Sequence, residues 1–262
     1  MVISGLDPTG GAGLQADIEA LASMGCHAAP IASCLTVQTT SNVQAVVPVD
    51  ATLIVEQARA VLEDIPVSAF KLGVLASPEV VETVATLLSD YPGIPVVLDP
   101  VIAAGGGTEM ADQAVLEALL DLIAPRTTVI TPNSQEAMRL VRGSDTLDAC
   151  AMGLLAHGCD YALITGAHRQ TPEVINTLYG QHRKLKEFTW PRLAGDYHGS
   201  GCTLAAAIAG LLAQGQQALS AVEAAQNYTW RSLQHGAHLG MGQRIPNRLY
   251  WAGMDDEADD QE

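Results

Sequence analysis

Asp196-Tyr-His-Gly-Ser-Gly-Cys202, running on into Thr203-Leu-Ala-Ala-Ala-Ile-Ala-Gly-Leu-Leu212, is the stretch from which the rest of the chain is read. Two glycines flank a serine, and an apolar helical run follows. Gly199 and Gly201 let the backbone turn without a Cβ clash. The first N–H groups of the helix have no partner within it. They point outward at the positive end of the helix dipole, which makes an anion site. Cys202 falls in the first turn, where a thiol loses its proton more easily. The stretch fits two readings. One is an anion hole for a transferring phosphoryl group. The other is an ordinary glycine-rich loop before a core helix with a buried cysteine.

The chain upstream points to repeated strand–helix units. Val2-Ile3-Ser4 reads as the end of a short strand, and Gly5-Leu-Asp-Pro-Thr-Gly-Gly-Ala-Gly13 as an irregular loop able to form a backbone anion nest. That loop lacks the Lys-Ser/Thr ending of a P-loop. Leu14, Ile18 and Leu21 recur at helical spacing, and Gly25 ends that helix. Further strands are expected at residues 28–33, 70–73, 96–100, 128–133 and 162–165. Polar residues 36–44 read as a connection. Helices are expected at residues 52–62, 78–88, 111–122, 135–141 and 221–234, with two more helical stretches before residue 162. Residues 174–179 and 184–188 read as an antiparallel pair. Alternation of this kind implies a mostly parallel sheet covered on both faces. Asp99, Asn133 and Thr165 fall at or just past the carboxyl ends of strands, the edge where open α/β sheets bind ligands.

The whole chain narrows the function classes. Its 262 residues, 48% of them apolar, suffice for one globular domain over residues 1–254. The end of the chain, Asp255-Asp-Glu-Ala-Asp-Asp-Gln-Glu262, reads as a disordered acidic tail. A net charge of −16 argues against nucleic acid and anionic membrane as partners. No apolar run reaches a membrane span, and residues 1–13 do not resemble a signal peptide. The cysteines (Cys26, Cys34, Cys150, Cys159 and Cys202) are scattered and odd in number, without C-x-x-C spacing, which suggests a reducing cytoplasm.

Taken together, several segments resemble the hydroxymethylpyrimidine/phosphomethylpyrimidine kinases of thiamine synthesis, a branch of the ribokinase superfamily. They are Gly5-Leu-Asp-Pro-Thr-Gly-Gly-Ala-Gly-Leu-Gln-Ala-Asp17, Val37-Gln-Thr39, Lys71-Leu-Gly-Val-Leu75, Leu98-Asp-Pro-Val101, Thr131-Pro-Asn-Ser-Gln-Glu136 and His198-Gly-Ser-Gly-Cys-Thr203. The likeness runs from residue 3 to about residue 230. It implies a ribokinase-like three-layer α/β/α sandwich with a mostly parallel central sheet. It also implies ATP and Mg2+ as cofactors, two successive phosphorylations of a hydroxymethylpyrimidine, and a homodimer.

The resemblance also implies roles. Gly199, Ser200 and Gly201 match the anion hole, and Cys202 takes the place of the aspartate base of most ribokinase-type enzymes. Asn133 and Glu136 match the Asn-x-x-Glu element that orders the metal and its waters beside the nucleotide, with Asp99 as a further metal carboxylate. Gly5, Asp17, Gln38, Val74 and Val101 align with the pyrimidine pocket, with Asp17 and Gln38 bonding the ring's polar edge. Asp7 and residues 9–13 would close over the phosphate end. Thr165 and Gly166 stand in the nucleotide element.

The chain departs from the family there: it reads Thr165-Gly-Ala-His168 where relatives carry Lys-Gly-Gly-His. Its loop Ala103-Ala-Gly-Gly-Gly-Thr108 also lacks a lysine, and Lys71, Lys184 and Lys186 are the only lysines in the sequence. Val74 replaces the usual pocket methionine. Two other functions fit these residues, a pyridoxal-type kinase of a hydroxymethyl heterocycle and a diverged pyrimidine-binding protein with weak catalysis.

Overall fold

Short apolar runs, buried on both faces, place one sheet at the centre of the molecule. The computed structural model describes residues 1–166 and 171–253. The acidic tail and the Ala167-His168 part of the nucleotide element lie outside the described residues. In chain order the strands are β1 (Val2–Leu6), β2 (Pro30–Gln38), β3 (Val43–Pro48), β4 (Phe70–Leu72), β5 (Val96–Leu98), β6 (Val129–Ile130), β7 (Tyr161–Ile164), β8 (Glu173–Gly180) and β9 (Arg183–Pro191). They form one sheet in the order β3-β2-β1-β4-β5-β6-β7-β8-β9. The strands from β2 through β7 pair in parallel, and β3, β8 and β9 add antiparallel edges.

Helices cover both faces. On one side lie α1 (Gly13–Ser23), α7 (Ser200–Ala213) and α8 (Ala218–Gln234). On the other lie α2 (Ala51–Asp64), α3 (Pro78–Asp90), α4 (Gln113–Ala118), α5 (Ser134–Leu140) and α6 (Leu147–Ala156). The strands alternate between these layers as a pleat requires: Val2, Val97, Val129 and Leu163 pack toward α7, while Ile3, Leu98, Ile130 and Ile164 pack on the opposite layer. This is the three-layer α/β/α architecture expected from the sequence.

Three local expectations are corrected. The segment read as a polar connection is the end of β2 and a hairpin into β3, in which Thr36 pairs with Val46 and Val37 with Ala45. Polar side chains are tolerated there because the hairpin extends past the helical layers, half exposed on both faces. A single helix, α6, stands where two helical stretches were expected before β7. The helix expected over residues 111–122 is α4 followed by a π-helical turn, Leu119–Ile123, and a 3-10 turn containing Pro125.

Helix starts differ in a way that bears on function. Asp50, Ser77, Asp112, Asn133 and Thr146 each accept a backbone N–H at the start of their helix. Helices α1 and α7 have no side-chain cap, and both begin from glycine-bearing loops. The start of α7 leaves its N–H groups uncapped, while at α1 the Ala12 N–H is held by Asp7 and the Gly13 N–H by Cys202.

Candidate active site

A cavity of about 670 Å3 opens along the carboxyl ends of the parallel strands. Ser4 and Gly5 reach it from β1, Asp99 from the end of β5, Thr131 and Asn133 from beyond β6, and Thr165 from beyond β7. The start of α7 closes one wall with Gly199, Ser200, Gly201 and Cys202.

Close approach of backbone explains the glycines. Gly199 is left-handed (φ 82°), and a Cβ there would collide with the Gly11 carbonyl. Gly13 (φ 56°) likewise lies against the Gly5 carbonyl. A Cβ on Gly5 would stand 2.9 Å from Cys34 Sγ. The loop after β1 and the loop before α7 are thereby pressed together.

A buried hydrogen-bond network fixes that contact. Asp7 accepts from Thr9 N–H (2.7 Å), Thr9 Oγ1 (2.8 Å) and Ala12 N–H (2.9 Å), and its Oδ2 lies 2.7 Å from His198 Nε2. Burial alone would raise Asp7, but the bonds from His198 and Thr9 outweigh it and hold the carboxyl near 2. Asp7 therefore ties the first glycine loop to the second. Asp7 lines the cavity wall.

One end of the cavity is apolar. Val74, Met110, Val43 and Cys34 form a small buried cluster, with Val101 packed on it. Gln38 and Gly5 line the same end, which suits a flat heteroaromatic ring with one polar edge. Met110 supplies the flexible sulfur side chain that Val74 lacks, from a part of the chain that sequence spacing did not connect to the pocket.

Asp17, expected in this pocket, is elsewhere. It is fully buried below the cavity and does not line it. Both its carboxylate oxygens lie 2.9 Å from Nζ of Lys71, also fully buried. Helical periodicity turns Asp17 inward with Leu14 and Leu21, where the counter-ion is available.

The acidic floor differs from the sequence expectation in its protonation. Cys202 is pushed up to about 12, chiefly by burial and against the opposing field of Lys71. Its first-turn position does not make it a ready thiolate. Its thiol is instead hydrogen-bonded to Asp99. Asp99 Oδ2 is buried without a hydrogen-bond partner, and burial raises the Asp99 carboxyl despite Lys71 and Cys202.

Glu136 accepts from Asn133 N–H (2.8 Å) and more weakly from Ile102 N–H (3.4 Å), while Asn133 Oδ1 accepts from Gln135 and Glu136 N–H. The Asn-x-x-Glu element is thus a reciprocal capping box for α5. Burial, then the charge of Asp99, raises Glu136 to about 8. Two carboxyls whose proton affinity is raised in this way, one with an oxygen unpartnered, form a donor set that fits a hard cation keeping several waters.

Beyond Thr165 the cavity continues between β9 and α8, lined by Trp190, Arg192, Thr229, Trp230 and Leu233. Trp190 and Trp230 stack at 6.3 Å. Gly166, expected among the nucleotide contacts, does not line this cavity: its N–H donates to Asn176 Oδ1 (3.0 Å). Asn176 then donates to Gln226 Oε1 (2.9 Å), which also accepts from Trp190 Nε1 (3.2 Å). Sequence reading missed this arm because its residues sit on an edge hairpin and a late helix with no shared motif. It also missed Arg248, which is buried beneath the glycine loops.

Comparison with known proteins agrees with this architecture. A family profile described as phosphomethylpyrimidine kinase matches residues 7–247. The hydroxymethylpyrimidine/phosphomethylpyrimidine kinase of Streptomyces coelicolor is 37% identical over 247 residues, covering 92% of this chain and 91% of that protein. The thiamine biosynthesis bifunctional protein ThiED of Geobacter sulfurreducens is 32% identical over 254 residues, and the match covers 95% of this chain but 52% of that longer protein. Among solved structures, a Bacillus subtilis pyridoxal kinase in complex with ADP superposes with a TM-score of 0.87 at 27% identity, covering 96% of this chain and 97% of that one.

Proposed function

The chain belongs to the phosphomethylpyrimidine kinase family, and from that premise we propose that it phosphorylates a hydroxymethylpyrimidine with ATP and then its monophosphate to the diphosphate, in thiamine biosynthesis. The observation that carries this reading is the meeting, in one cavity, of an apolar heterocycle end with an uncapped helix N-terminus. The ring lies among Val74, Val101 and Met110 with its polar edge on Gln38. The N–H groups of Gly199, Ser200 and Gly201 stabilise charge on the phosphoryl group in flight.

Such a transfer needs positioning more than a strong base. Cys202, with its own proton held by Asp99, presents sulfur to the substrate hydroxyl and orients it. The hydroxyl proton leaves late, once bond formation to phosphorus has acidified the oxygen and the bond to ADP is breaking, and it passes to an oxygen of the transferred phosphoryl group. Asp99 and Glu136 would hold Mg2+, which supplies charge neutralisation of the phosphates. Asn133 fixes Glu136 through the capping box. Thr165, Trp190, Thr229 and Trp230 flank the nucleotide.

A homodimer in the cytoplasm completes the proposal. The end of β1 and the β2–β3 hairpin expose Leu6, Leu35, Val37 and Val47, an apolar strip that a second copy would cover. Light scattering checks it. All five cysteines are free, as a reducing compartment would leave them. Among the described residues no helix is long and apolar enough to cross a membrane.

The test is phosphate transfer from ATP to hydroxymethylpyrimidine with Mg2+, with products resolved by chromatography. Mono- and diphosphate are both expected; no product with the pyrimidine still bound would favour a binding protein. A pyridoxal-kinase activity is the second reading, favoured by the fold shared with the Bacillus subtilis enzyme. Competition between pyridoxal and the pyrimidine separates the two.

A further inference from the structure

Arg248 is the largest fully buried side chain, 1% exposed, and stands one residue past the segment matched to the family. Tyr228 Oη donates to its carbonyl (2.8 Å), which anchors its backbone. Its guanidinium meets three segments, α7, α1 and the first glycine loop. Nε donates to Thr203 Oγ1 (2.9 Å), and Thr203 donates in turn to the Gly199 carbonyl (2.7 Å). Nη1 donates to Glu19 Oε2 (3.0 Å) and reaches toward the Gly10 carbonyl (3.5 Å), and Nη2 donates to the Gly11 carbonyl. A Cβ on Gly199 would lie 2.9 Å from Nη2, so the cation sits directly behind the start of α7.

A buried cation there sits against the positive end of a helix. The N-terminus of a helix carries partial positive charge and repels it. Among the described residues Glu19 is the carboxylate that pairs with it directly, and that side chain is 32% exposed; buried Asp17 feels its charge without a direct bond. The carbonyls of Gly10 and Gly11 satisfy hydrogen bonds but do not neutralise a charge. An anion seated on the Gly199–Gly201 N–H groups resolves the conflict, since it is drawn by the dipole and the guanidinium together. No lysine among the described residues lines the cavity, and its arginines, Arg139 and Arg192, lie on α5 and just past β9, so Arg248 is the guanidinium set behind the start of α7.

We propose that Arg248 is a positioning residue for phosphoryl transfer that locks the first glycine loop onto the anion hole and sets a fixed positive charge behind it, tuned by Glu19. The proposal rests on the nucleotide-using reading above. It assigns Arg248 to the phosphate end of the nucleotide, with no contact to the pyrimidine.

The test is calorimetric binding of ADP, and separately of hydroxymethylpyrimidine, to the wild type, Glu19→Gln, Arg248→Met, Arg248→Lys and the Glu19→Gln/Arg248→Met pair. Removing the counter-charge in Glu19→Gln should tighten ADP roughly two- to fivefold at low salt, less at high salt. Arg248→Met should weaken ADP by roughly tenfold and lower kcat, with Arg248→Lys recovering part of both. The pair should show no tightening, and pyrimidine affinity should stay within about twofold throughout.

A structural salt bridge alone predicts that Glu19→Gln lowers stability and leaves ADP binding unchanged or weaker, and that result overturns the proposal even if Arg248→Met fails to fold. Wild type that binds ADP with this pattern yet phosphorylates no pyrimidine would sink the kinase reading and leave this one standing. An active wild type without the Glu19→Gln effect would do the reverse.

Discussion

Replacing Lys71 by methionine keeps the length of the side chain and strands Asp17 without its counter-ion. Both groups are fully buried, 2.9 Å apart. Burial already pushes Asp17 to about 6 with the ammonium beside it, and losing that ammonium pushes it higher. At pH 7 the variant escapes an unpaired buried charge by protonating Asp17. In the unfolded chain this carboxyl titrates at its ordinary 3.8, so taking up the proton costs about 4 kcal/mol, about 1.4 kcal/mol per pH unit. The figure agrees with the ~3–5 kcal/mol lost when a buried pair loses one partner.

The sign follows from a folded value above the unfolded one. The protonated form contributes its full stability below about pH 4 and loses it as pH rises through the folded value. Because wild-type Asp17 itself binds a proton below about 6, the deficit of Lys71→Met should be about 4 kcal/mol near pH 7 and shrink only to about 3 kcal/mol at pH 5. Urea unfolding at the two pH values measures it. Asp17→Asn/Lys71→Met should recover most of the loss and remove its pH dependence. A deficit below about 1 kcal/mol, or one equal at both pH values, refutes the ion-pair account. It would also return Asp17 to the pyrimidine pocket, where Asp17→Asn would raise KM.

Cys202→Ala should lower kcat roughly ten- to hundredfold with the pyrimidine KM unchanged, and any change of kcat between pH 7 and 9 should be shared by wild type and variant, because the thiol titrates near 12 while Glu136 lies near 8. A wild-type rate climbing tenfold per pH unit, absent in the variant, would contradict a neutral thiol. Gln38→Ala removes a polar contact at the ring's edge and should raise the pyrimidine KM by roughly tenfold without changing kcat; steady-state kinetics decide this. Asp7 has a folded value below the unfolded one, so its stabilisation is present above about pH 4 and lost as pH falls toward 2. Asp7→Asn should cost about 1–2 kcal/mol at pH 7 after allowance for solvent screening, and the gap should close in acid unfolding. Gly199→Ala forces a Cβ into the Gly11 carbonyl at a left-handed position, and thermal unfolding should show a loss of at least 1 kcal/mol together with lost turnover.

What the sequence determined by itself was local and periodic. Alternating strand and helix signals specify the layered sheet, since burying both faces of a parallel sheet needs apolar strands and amphipathic helices. Glycines mark where backbone must approach backbone, and the two glycine motifs locate the wall of the cavity at which α7 begins. Tertiary structure decided which groups meet across that frame. Asp17 turned from a substrate contact into a counter-ion because a helix face, not a motif, sets its direction. Cys202 became a high-pKa thiol because burial under Asp99 outweighs the helix dipole that its position in the chain suggested. Met110 and Arg248 joined the site from segments without a motif, one completing the apolar cluster at one end of the cavity and the other standing behind the start of α7. Charge and desolvation act through space over a few ångströms, and the order of residues along a chain does not encode those distances until the chain is folded.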